Sequence, residues 1–457
     1  MLCTMIRNTL PCVFCVTLLA AWQAHADPTV LHDVRLIDGN GGIPKEHADI
    51  VINGDRIDRI GQAGEFSRLP NATVIDLAGK TVTPGLISDH SHLGMVFGAA
   101  ANGQNATTQN ILRQLRQYEA YGVTTVTSLG LNQATFYELQ PRLHAGALPG
   151  ADMFGADRGF GVNAGAPPEK MGILDDQVYR PKTVEEARSQ VRESAGRHPD
   201  LIKIWVDDFH GTVPAKLDPT IYKAIIEEAH HQGLRVAAHV FYLDDAKRLV
   251  ASGIDILAHG VRDKPVDDEF IRAMKSRQVW YIPTLALDES FYLFAQHPEL
   301  ADTVLLQHAL QPALAAQFAD LEWRQKILAD KKKMATDEAA FRMNLKNVAT
   351  LYKAGVQVGF GTDSGATPLR IAGFAEHREL MLLTEAGLTP LQAIGTATKS
   401  AAALLQLKDR GEIAPGKLAD LLVVDGNPAN DITDIDHITA VWHRGKRAAE
   451  GIAAFTP

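Results

Sequence analysis

Cysteine is almost absent from this 457-residue sequence, and all three cysteines fall near its start, at Cys3, Cys12 and Cys15. The same segment has a basic residue at Arg7, a mostly apolar run over Leu10–Ala21 and the small-residue pattern Ala24-His25-Ala26. These features are typical of a secretory signal peptide at residues 1–26, with a mature chain that starts at Asp27. Removing 26 of the 457 residues leaves 431 residues without cysteine, which excludes disulfides and thiol chemistry from the mature chain.

Two further features are missing, a membrane-spanning run and an excess of positive charge. The apolar run of the leader is about half of the roughly 20 residues that a spanning helix needs, so we expect an exported protein, periplasmic or secreted, without a membrane anchor. Lys and Arg total 45 against 54 Asp and Glu, a net charge of −9 that becomes −10 when Arg7 is removed. Nucleic-acid binders rely on a basic surface, so we expect a small-molecule substrate and no nucleic acid.

Short β-rich stretches separated by Gly and Asn turns occupy both ends of the mature chain. They lie within residues 27–82 and again within residues 409–457, where GEIAPGKLADLLVVDGNP and ITAVWHRGKRA have the same character. Neither piece can bury enough apolar surface alone. We therefore expect the two pieces to pair into one small β-sandwich domain, with the rest of the chain inserted between them.

The middle of the chain, residues 83–408, alternates short apolar runs with helical periodicity, which is typical of βα repeats around a parallel sheet. Eight such runs predict a (β/α)8 TIM-like barrel. The runs are Thr83–His90, Gly122–Gly130, Ala151–Asp157, Leu201–Asp208, Leu234–Val240, Asp255–Gly260, Val279–Leu287 and Val356–Asp363.

One repeat is oversized, because a helical insertion is expected at about residues 288–354, after the seventh strand. This position places the insertion at the rim where the active sites of such barrels lie. It then forms part of a substrate pocket wall or lid, or else packs on the side of the barrel or at a subunit contact. The sequence leaves both alternatives open.

Side chains that bind metals follow the predicted strands, and the carboxyl ends of all eight strands open on one face of a barrel. They are His90 and His92 after strand 1, Lys203 in strand 4, His239 at the end of strand 5, His259 at the end of strand 6 and Asp363 at the end of strand 8. The His-x-His spacing directs both imidazoles to the same side of a strand. Imidazoles with a carboxylate are ligands of zinc and related divalent ions. Lys203 does not fit this set as an ammonium, and an ion pair with Asp207 or Asp208 is the alternative.

Several motifs together resemble the amidohydrolase superfamily, and in particular its imidazolonepropionase-like and prolidase-like branch. The resemblance covers essentially the whole mature chain. One departure is Ser88, which stands where the motif PGLID-x-H-x-H has aspartate. The motifs are VTPGLISDHSH, IKIWVDD, AAHV, LAHG, GFGTDSG, HRELMLLTEAGLTPLQAIGTATKSAA and GEIAPGKLADLLVVDGNP.

The resemblance implies a centre of two divalent metal ions, with zinc as the default. His90, His92 and Asp363 would bind one ion, and His239 and His259 the other. Lys203, carboxylated by CO2 to a carbamate, would bridge both ions, which replaces a cation by an anionic ligand. Family members also assemble into dimers or larger rings, so a homo-oligomer is expected.

Hydrolysis of an amide-type C–N bond follows from such a centre, because a water shared by two metal ions gives hydroxide near neutral pH. Asp363 can take the proton of that water and pass it to the departing amine. Tyr242, three residues after His239, is a candidate donor to the developing oxyanion or else a packed aromatic residue. A lactonase or organophosphate ester hydrolase with the same metals is an alternative, as is a barrel that only binds, although the complete set of ligands argues against that.

Three arginines of the predicted rim loops, Arg158, Arg262 and Arg370, are candidate substrate-binding residues. A guanidinium binds a carboxylate through two parallel hydrogen bonds. The expected substrate is therefore a dipeptide or an N-acyl amino acid with a free carboxylate. Each arginine could instead pair with an acidic neighbour.

Overall fold

The computed structural model describes residues 27–449 together with Ile452 and Phe455. The predicted signal peptide and its three cysteines lie outside these residues. Within the described residues, no helix combines the length and the apolar character that crossing a membrane requires.

Strands and helices alternate along most of the described chain. The strands are β1 (Thr29–Leu36), β2 (Lys45–Asn53), β3 (Arg56–Gln62), β4 (Thr73–Asp76), β5 (Lys80–Pro84), β6 (Leu86–Ser91), β7 (Val96–Phe97), β8 (Ala100–Ala101), β9 (Val123–Ser128), β10 (Asp152–Gly155), β11 (Ile202–Trp205), β12 (Val236–His239), β13 (Ile256–Ala258), β14 (Trp280–Ile282), β15 (Leu421–Asp425), β16 (Ile438–His443) and β17 (Lys446–Ala449). The α-helices are α1 (Thr108–Ala120), α2 (Ala134–His144), α3 (Val184–Ala195), α4 (Pro219–His231), α5 (Leu243–Ala251), α6 (Asp268–Ser276), α7 (Ala286–Glu289), α8 (Leu293–Gln296), α9 (Val304–Gln307), α10 (Pro312–Ala319), α11 (Leu321–Ala329), α12 (Lys331–Lys353), α13 (Phe374–Glu385), α14 (Pro390–Gly395) and α15 (Ala401–Leu404).

Strands from both ends of the chain share one mixed sheet. Its order is β17-β16-β15-β5-β1-β2-β3, with β4 paired alongside β1. The two ends of the chain meet where β15 runs antiparallel to β5, with Val423 opposite Val82. The β-branched residues of these strands suit a pleated surface with one buried face. The sheet therefore leaves the chain between β5 and β15 as an insertion.

The strands of this insertion that carry the predicted site are parallel. β6, β9 and β10 form one parallel sheet and β11 to β14 form another, with helices in the connections, as parallel pairing requires. The predicted eighth strand, Val356–Asp363, forms a single bridge from Val358 to Tyr281, and Ser364 directly after it forms another to Ser91. A further single bridge joins Ala156 with Leu201, between the two parallel sheets.

The predicted strand Val279–Leu287 is extended only in its first part. β14 ends at Ile282, and α7 begins at Ala286. The carboxylate of Glu379 in α13 accepts the backbone N–H groups of Leu285 and Ala286, at 2.8 Å each. These are donors that the start of a helix leaves without a partner. A contact from a distant helix therefore accounts for the change to helix, and hydrophobic periodicity does not reveal such a contact.

The segment from α7 to α12 is helical, and different parts of it contact different surroundings. In its middle, the rings of Phe294 and Phe318 stack with centroids 4.4 Å apart in a cluster that also contains Tyr121 and Phe374. Its first and last parts line the cavity described below. The segment thus packs on the side of the parallel strands and also contributes to a pocket wall.

Candidate metal centre

The six predicted metal ligands come together where the parallel strands end. The structure places them at the ends of β6, β12 and β13, within β11 and at the end of the predicted eighth strand. Their exposed fractions lie between 0% and 7%, so the group is shielded from solvent. These residues are His90, His92, Lys203, His239, His259 and Asp363.

Two histidines of the His-x-His motif face the same carboxylate oxygen. Oδ1 of Asp363 lies 3.1 Å from Nε2 of His92 and 3.3 Å from Nε2 of His90. One ligand atom from each of the three residues lies within 4.8 Å of the others. Two imidazoles and one carboxylate around a common point are a donor set of divalent metal ions.

The other three residues continue this group. The ring of His259 lies between two histidines, with its centroid 4.4 Å from that of His90 and 4.2 Å from that of His239. Nζ of Lys203 lies 3.4 Å from Nε2 of His90. The structure thus brings all six side chains to one place.

Lys203 has no carboxylate partner within ion-pairing distance in the described chain. The alternative pairing with Asp207 or Asp208 is absent, because Asp207 lies against His239 at 3.2 Å and Asp208 accepts a hydrogen bond from Tyr242 at 2.8 Å. Burial lowers the pKa of Lys203 well below its ordinary value. A buried ammonium without a partner is costly, so the neutral amine is the favoured form.

The histidines are also held in the neutral form. Burial lowers the pKa of His92 to about 3. Burial likewise lowers the pKa of His90, His239 and His259. Only a neutral imidazole has a free ring nitrogen to offer a metal ion.

Orphaned ring nitrogens test whether these residues fit a metal, and Nδ1 of His90 and Nδ1 of His239 are both of this kind in the described chain. Nδ1 of His239 is buried and has no hydrogen-bond partner in the described chain, whereas its Nε2 faces Asp207. Buried polar atoms without partners are rare, and a metal ligand that holds a carboxylate on its other nitrogen is the usual arrangement of a histidine site. The donor set therefore fits divalent metal ions.

Four residues of this site have a strained backbone conformation. His259 has φ of 76° and Asp363 has φ of 60°, the left-handed region that residues other than glycine rarely adopt. Phe209 and His210, which line the adjoining cavity, have φ of 48° and 58°. Strained residues of this kind cluster at functional sites.

The three predicted arginines have different surroundings. Arg370 lines the cavity and contacts Oδ2 of Asp363. Arg262 also lines it, but its guanidinium is paired with both carboxylate oxygens of Asp288, at 3.0 and 3.1 Å. Arg158 is not brought to the site, because its guanidinium lies 5.0 Å from the ring centroid of Tyr179, away from the cavity.

Tyr242 is likewise not brought to the predicted catalytic position. Its hydroxyl donates to Oδ1 of Asp208 at 2.8 Å, and Nζ of Lys216 lies 3.8 Å from its ring centroid. The residue is the N-cap of α5 and does not line the cavity. Its position three residues after His239 therefore does not direct its hydroxyl toward the metal ligands.

A cavity of about 600 Å³ opens at the metal ligands and is large enough for a small organic molecule. The sequence predicted Arg262, Arg370 and the helical insertion as parts of its wall, whereas the apolar side chains and Lys332 and Lys333 were not predicted. The cavity is lined by His92, His239, His259 and Asp363, by the apolar side chains of Leu131, Trp205, Phe209, Leu287 and Phe291, and by Arg370, Lys332 and Lys333.

The comparison with protein families gives one match, in which residues 81–448 fit the Amidohydrolase family. Among curated relatives, an imidazolonepropionase of Streptomyces griseus is 26% identical over 93% of this chain and 98% of its own length. An ochratoxinase of Aspergillus niger is 25% identical over 94% of this chain and 88% of its own.

Solved structures of similar fold include a Xaa-Pro dipeptidase with methionine bound in its active site. That chain is 24% identical, with a TM-score of 0.72 over 93% of this chain and 100% of its own length. At this identity, the likeness bears on the fold, and it agrees with the arrangement of parallel strands and helices described above.

Proposed function

Since the chain belongs to the amidohydrolase family, has a TIM-barrel-like α/β fold and is a hydrolase acting on carbon–nitrogen bonds, we propose that two metal ions act in its site. The bond cleaved is the amide of a small peptide-like or N-acyl amino-acid substrate. The observation that carries this proposal is the buried group of four neutral histidines, Lys203 and Asp363 beside a cavity.

His90, His92 and Asp363 would hold one ion, and His239 and His259 the other. Lys203 would bridge the two as a carbamate, since its Nζ lies 3.4 Å from His90 and lacks a carboxylate partner. Divalent ions bound there, with zinc as the default, would lower the pKa of a water molecule and polarise the substrate carbonyl.

Asp363 is the residue that we assign to proton transfer. Its Oδ1 faces His90 and His92, whereas Oδ2 faces Arg370 in the cavity. Oδ2 would accept the proton of the attacking water and then deliver it to the nitrogen of the departing amine. The same carboxylate thus acts first as general base and then as general acid.

Arg370 is the arginine that we assign to the substrate carboxylate. Its Nε is buried without a hydrogen-bond partner in the described chain, and the residue is 7% exposed. Arg262 also has a buried Nε without a partner in the described chain, but its guanidinium is held by both carboxylate oxygens of Asp288, and we assign it to the wall instead. Trp205, Phe209 and Phe291 give the cavity an apolar side, which suits an apolar acyl group or side chain on the substrate.

We also infer that the parallel strands close into an eight-stranded barrel and that the terminal sheet folds into a sandwich. The bridge between Ser91 and Ser364, with the bridge between Tyr281 and Val358, supports closure. The terminal sheet has a core built without helices, which includes Leu31, Ile50, Val82, Val423 and Trp442. An apolar sheet face that buries itself in this way supports a sandwich.

Export is proposed from the composition of residues 1–26 alone. N-terminal sequencing of the protein recovered from the periplasm or medium should begin at Asp27. An intact N-terminus on a protein retained in the cytoplasm would contradict export. A homo-oligomer is proposed on the family resemblance alone, and light scattering of the mature protein tests it.

A substrate panel tests the proposed reaction, with Xaa-Pro dipeptides, N-acyl amino acids, lactones and phosphotriesters offered to the metal-loaded enzyme. We expect turnover of the first two classes. Asp363→Asn should lower kcat roughly 100-fold to 10,000-fold while metal stays bound. Asp330→Asn, which changes a carboxylate elsewhere on the cavity wall, should keep normal turnover. Turnover of lactones or phosphotriesters alone would contradict the proposed bond type.

A further inference from the structure

A cluster of buried hydroxyl groups lies directly behind the predicted metal ligands. Ser88 and Ser91 flank His90 in β6, and Thr362 and Ser364 flank Asp363. All four hydroxyl residues are fully buried, with exposed fractions of 0%. Each segment that supplies a metal ligand at this end of the site therefore also presents two hydroxyl groups to the interior.

Three of these four hydroxyl groups bond one carboxylate, that of Glu376 in α13, whereas the hydroxyl of Ser91 bonds those of Ser88 and Ser364. Oε1 of Glu376 accepts hydrogen bonds from Thr362 at 2.6 Å, from Ser364 at 2.7 Å and from Ser88 at 3.2 Å. Its Oε2 accepts the backbone N–H of Gly373 at 2.9 Å. Glu376 is itself fully buried and does not contact the ligands.

The two segments meet at the backbone level as well. The N–H of Asp363 donates to the carbonyl of His90 at 2.8 Å, and the N–H of His92 donates to the carbonyl of Ser364 at 2.7 Å. These bonds fix the two segments to each other. The hydrogen bonds to Glu376 are the ones that fix both of them to a helix outside the strands.

Capping of α13 does not account for this arrangement. A cap needs one acceptor for the N–H groups at the start of the helix, and Oε2 serves that purpose at Gly373. Oε1 accepts its hydrogen bonds from the hydroxyl groups of Ser88, Thr362 and Ser364 and takes no part in the cap. Ser364 then accepts from Tyr118, whose hydroxyl oxygen lies 2.6 Å away, so the hydrogen bonds continue to α1.

We propose that Glu376 is a positioning residue for the metal ion held by His90, His92 and Asp363, acting through the hydroxyl groups beside these ligands. The proposal rests on the metal centre put forward as the function. Residues that orient metal ligands in this way are worth about 10-fold to 100-fold in metal affinity. The ion held by His239 and His259 should be much less affected, because neither histidine adjoins these hydroxyl groups.

Cobalt(II) binding to the mature protein tests this, with visible absorption to report ligand geometry and a competing chelator to report affinity. Glu376→Ala should weaken one of the two cobalt-binding steps by about 10-fold to 100-fold, leave the other step nearly unchanged and alter the absorption bands. Thr362→Val keeps the shape of the side chain and should show a smaller change of the same kind, which keeps the test valid if Glu376→Ala does not fold. The double variant should lose no more affinity than Glu376→Ala alone.

His377→Gln is the matched control, because His377 is the next residue of α13 and is equally buried. Its ring nitrogens bond Asp436 at 2.7 Å and the carbonyl of Tyr121 at 2.8 Å, away from the ligands. We expect this variant to unfold at a lower temperature with an unchanged cobalt spectrum and affinity. The proposal is overturned if Glu376→Ala and Thr362→Val bind cobalt as the wild type does, if the losses multiply in the double variant, or if His377→Gln loses as much. Failure of the wild type to bind cobalt would instead contradict the metal centre itself.

Discussion

Oδ2 of Asp207 lies 3.2 Å from Nε2 of His239, and the Nδ1 atom of the same ring is left buried and without a partner. Asp207 follows β11, the strand that carries Lys203, whereas His239 ends β12. The carboxylate thus orients the imidazole of a neighbouring strand. An acceptor on one ring nitrogen fixes the ring and raises the basicity of the other nitrogen, which is the arrangement that metal-binding histidines require.

Asp207→Asn should therefore weaken metal binding about 10-fold to 100-fold with little change in shape. A competing chelator measures the affinity, and the matched control is Asp208→Asn. Asp208 is the next residue, but it accepts from Tyr242 and lies 3.8 Å from Lys216, away from the histidines. Equal losses in both variants would show that Asp207 has no particular role.

Lys203→Ala should abolish turnover and the binding of a pair of metal ions, because it removes the only group that we expect to bridge them. Small carboxylates such as formate or acetate should restore part of the activity by supplying anionic oxygen ligands. Lys216→Ala, which removes a partly exposed ammonium that lies beside Asp208 and Asp245, serves as the control. Full activity of Lys203→Ala without added carboxylate would rule out the bridging role.

Arg370→Met should lower kcat/KM for a substrate with a free carboxylate about 10-fold or more relative to its methyl ester, because one charge-assisted contact is lost. The ratio of the two substrates is the measurement, since a general effect through Asp363 changes both equally. An unchanged ratio would remove Arg370 from substrate recognition.

Arg262→Met should act on stability. It leaves the carboxylate of Asp288 buried without its guanidinium partner, and breaking a buried pair costs about 3–5 kcal/mol. Denaturant unfolding measures this loss, and the carboxylate-to-ester ratio should stay near that of the wild type. A selective loss on free carboxylates would return Arg262 to the substrate site.

His443 gives the fold a pH dependence that is separate from the metal centre. Burial alone would lower the pKa of His443, but the carboxylates of Asp152 and Glu119 outweigh burial and raise the pKa to about 10. Nδ1 of His443 lies 2.7 Å from Glu119. A histidine whose pKa is higher in the folded chain stabilises the fold fully below its unfolded value near 6.5, and this contribution is lost as the pH rises through 10.

The unfolding free energies of the wild type and His443→Gln should thus differ most near pH 6 and differ progressively less toward pH 10. Denaturant titrations at a series of pH values measure the difference. A difference that stays constant over this range would contradict the raised pKa.

The family and the hydrolase activity were predictable because they depend on local motifs, and the family match confirms that prediction. The convergence of His90, His92 and Asp363 was also predictable, since residues at parallel strand ends share one edge. Strand-end position does not fix the direction of a side chain, however. Tyr242 begins α5 with its hydroxyl on Asp208, and Arg158 lies over Tyr179, although both follow predicted strands.

Other features depend on contacts between segments far apart in the chain. Glu379 fixes the start of α7 from α13, so the predicted strand ends earlier than its apolar run. Glu376 likewise reaches Ser88 over 288 positions. Periodicity and spacing report the local conformation of the chain, and neither shows which buried carboxylate meets which distant backbone group.

Metal stoichiometry measured together with turnover tests the central claim most directly. The mature enzyme is stripped with a chelator and titrated with zinc, and bound metal and hydrolysis of an N-acyl amino acid are followed at each addition. The account predicts that activity is absent without metal and rises to its maximum as two ions bind per chain. Full turnover by the metal-free enzyme, or no metal bound at saturation, would contradict it.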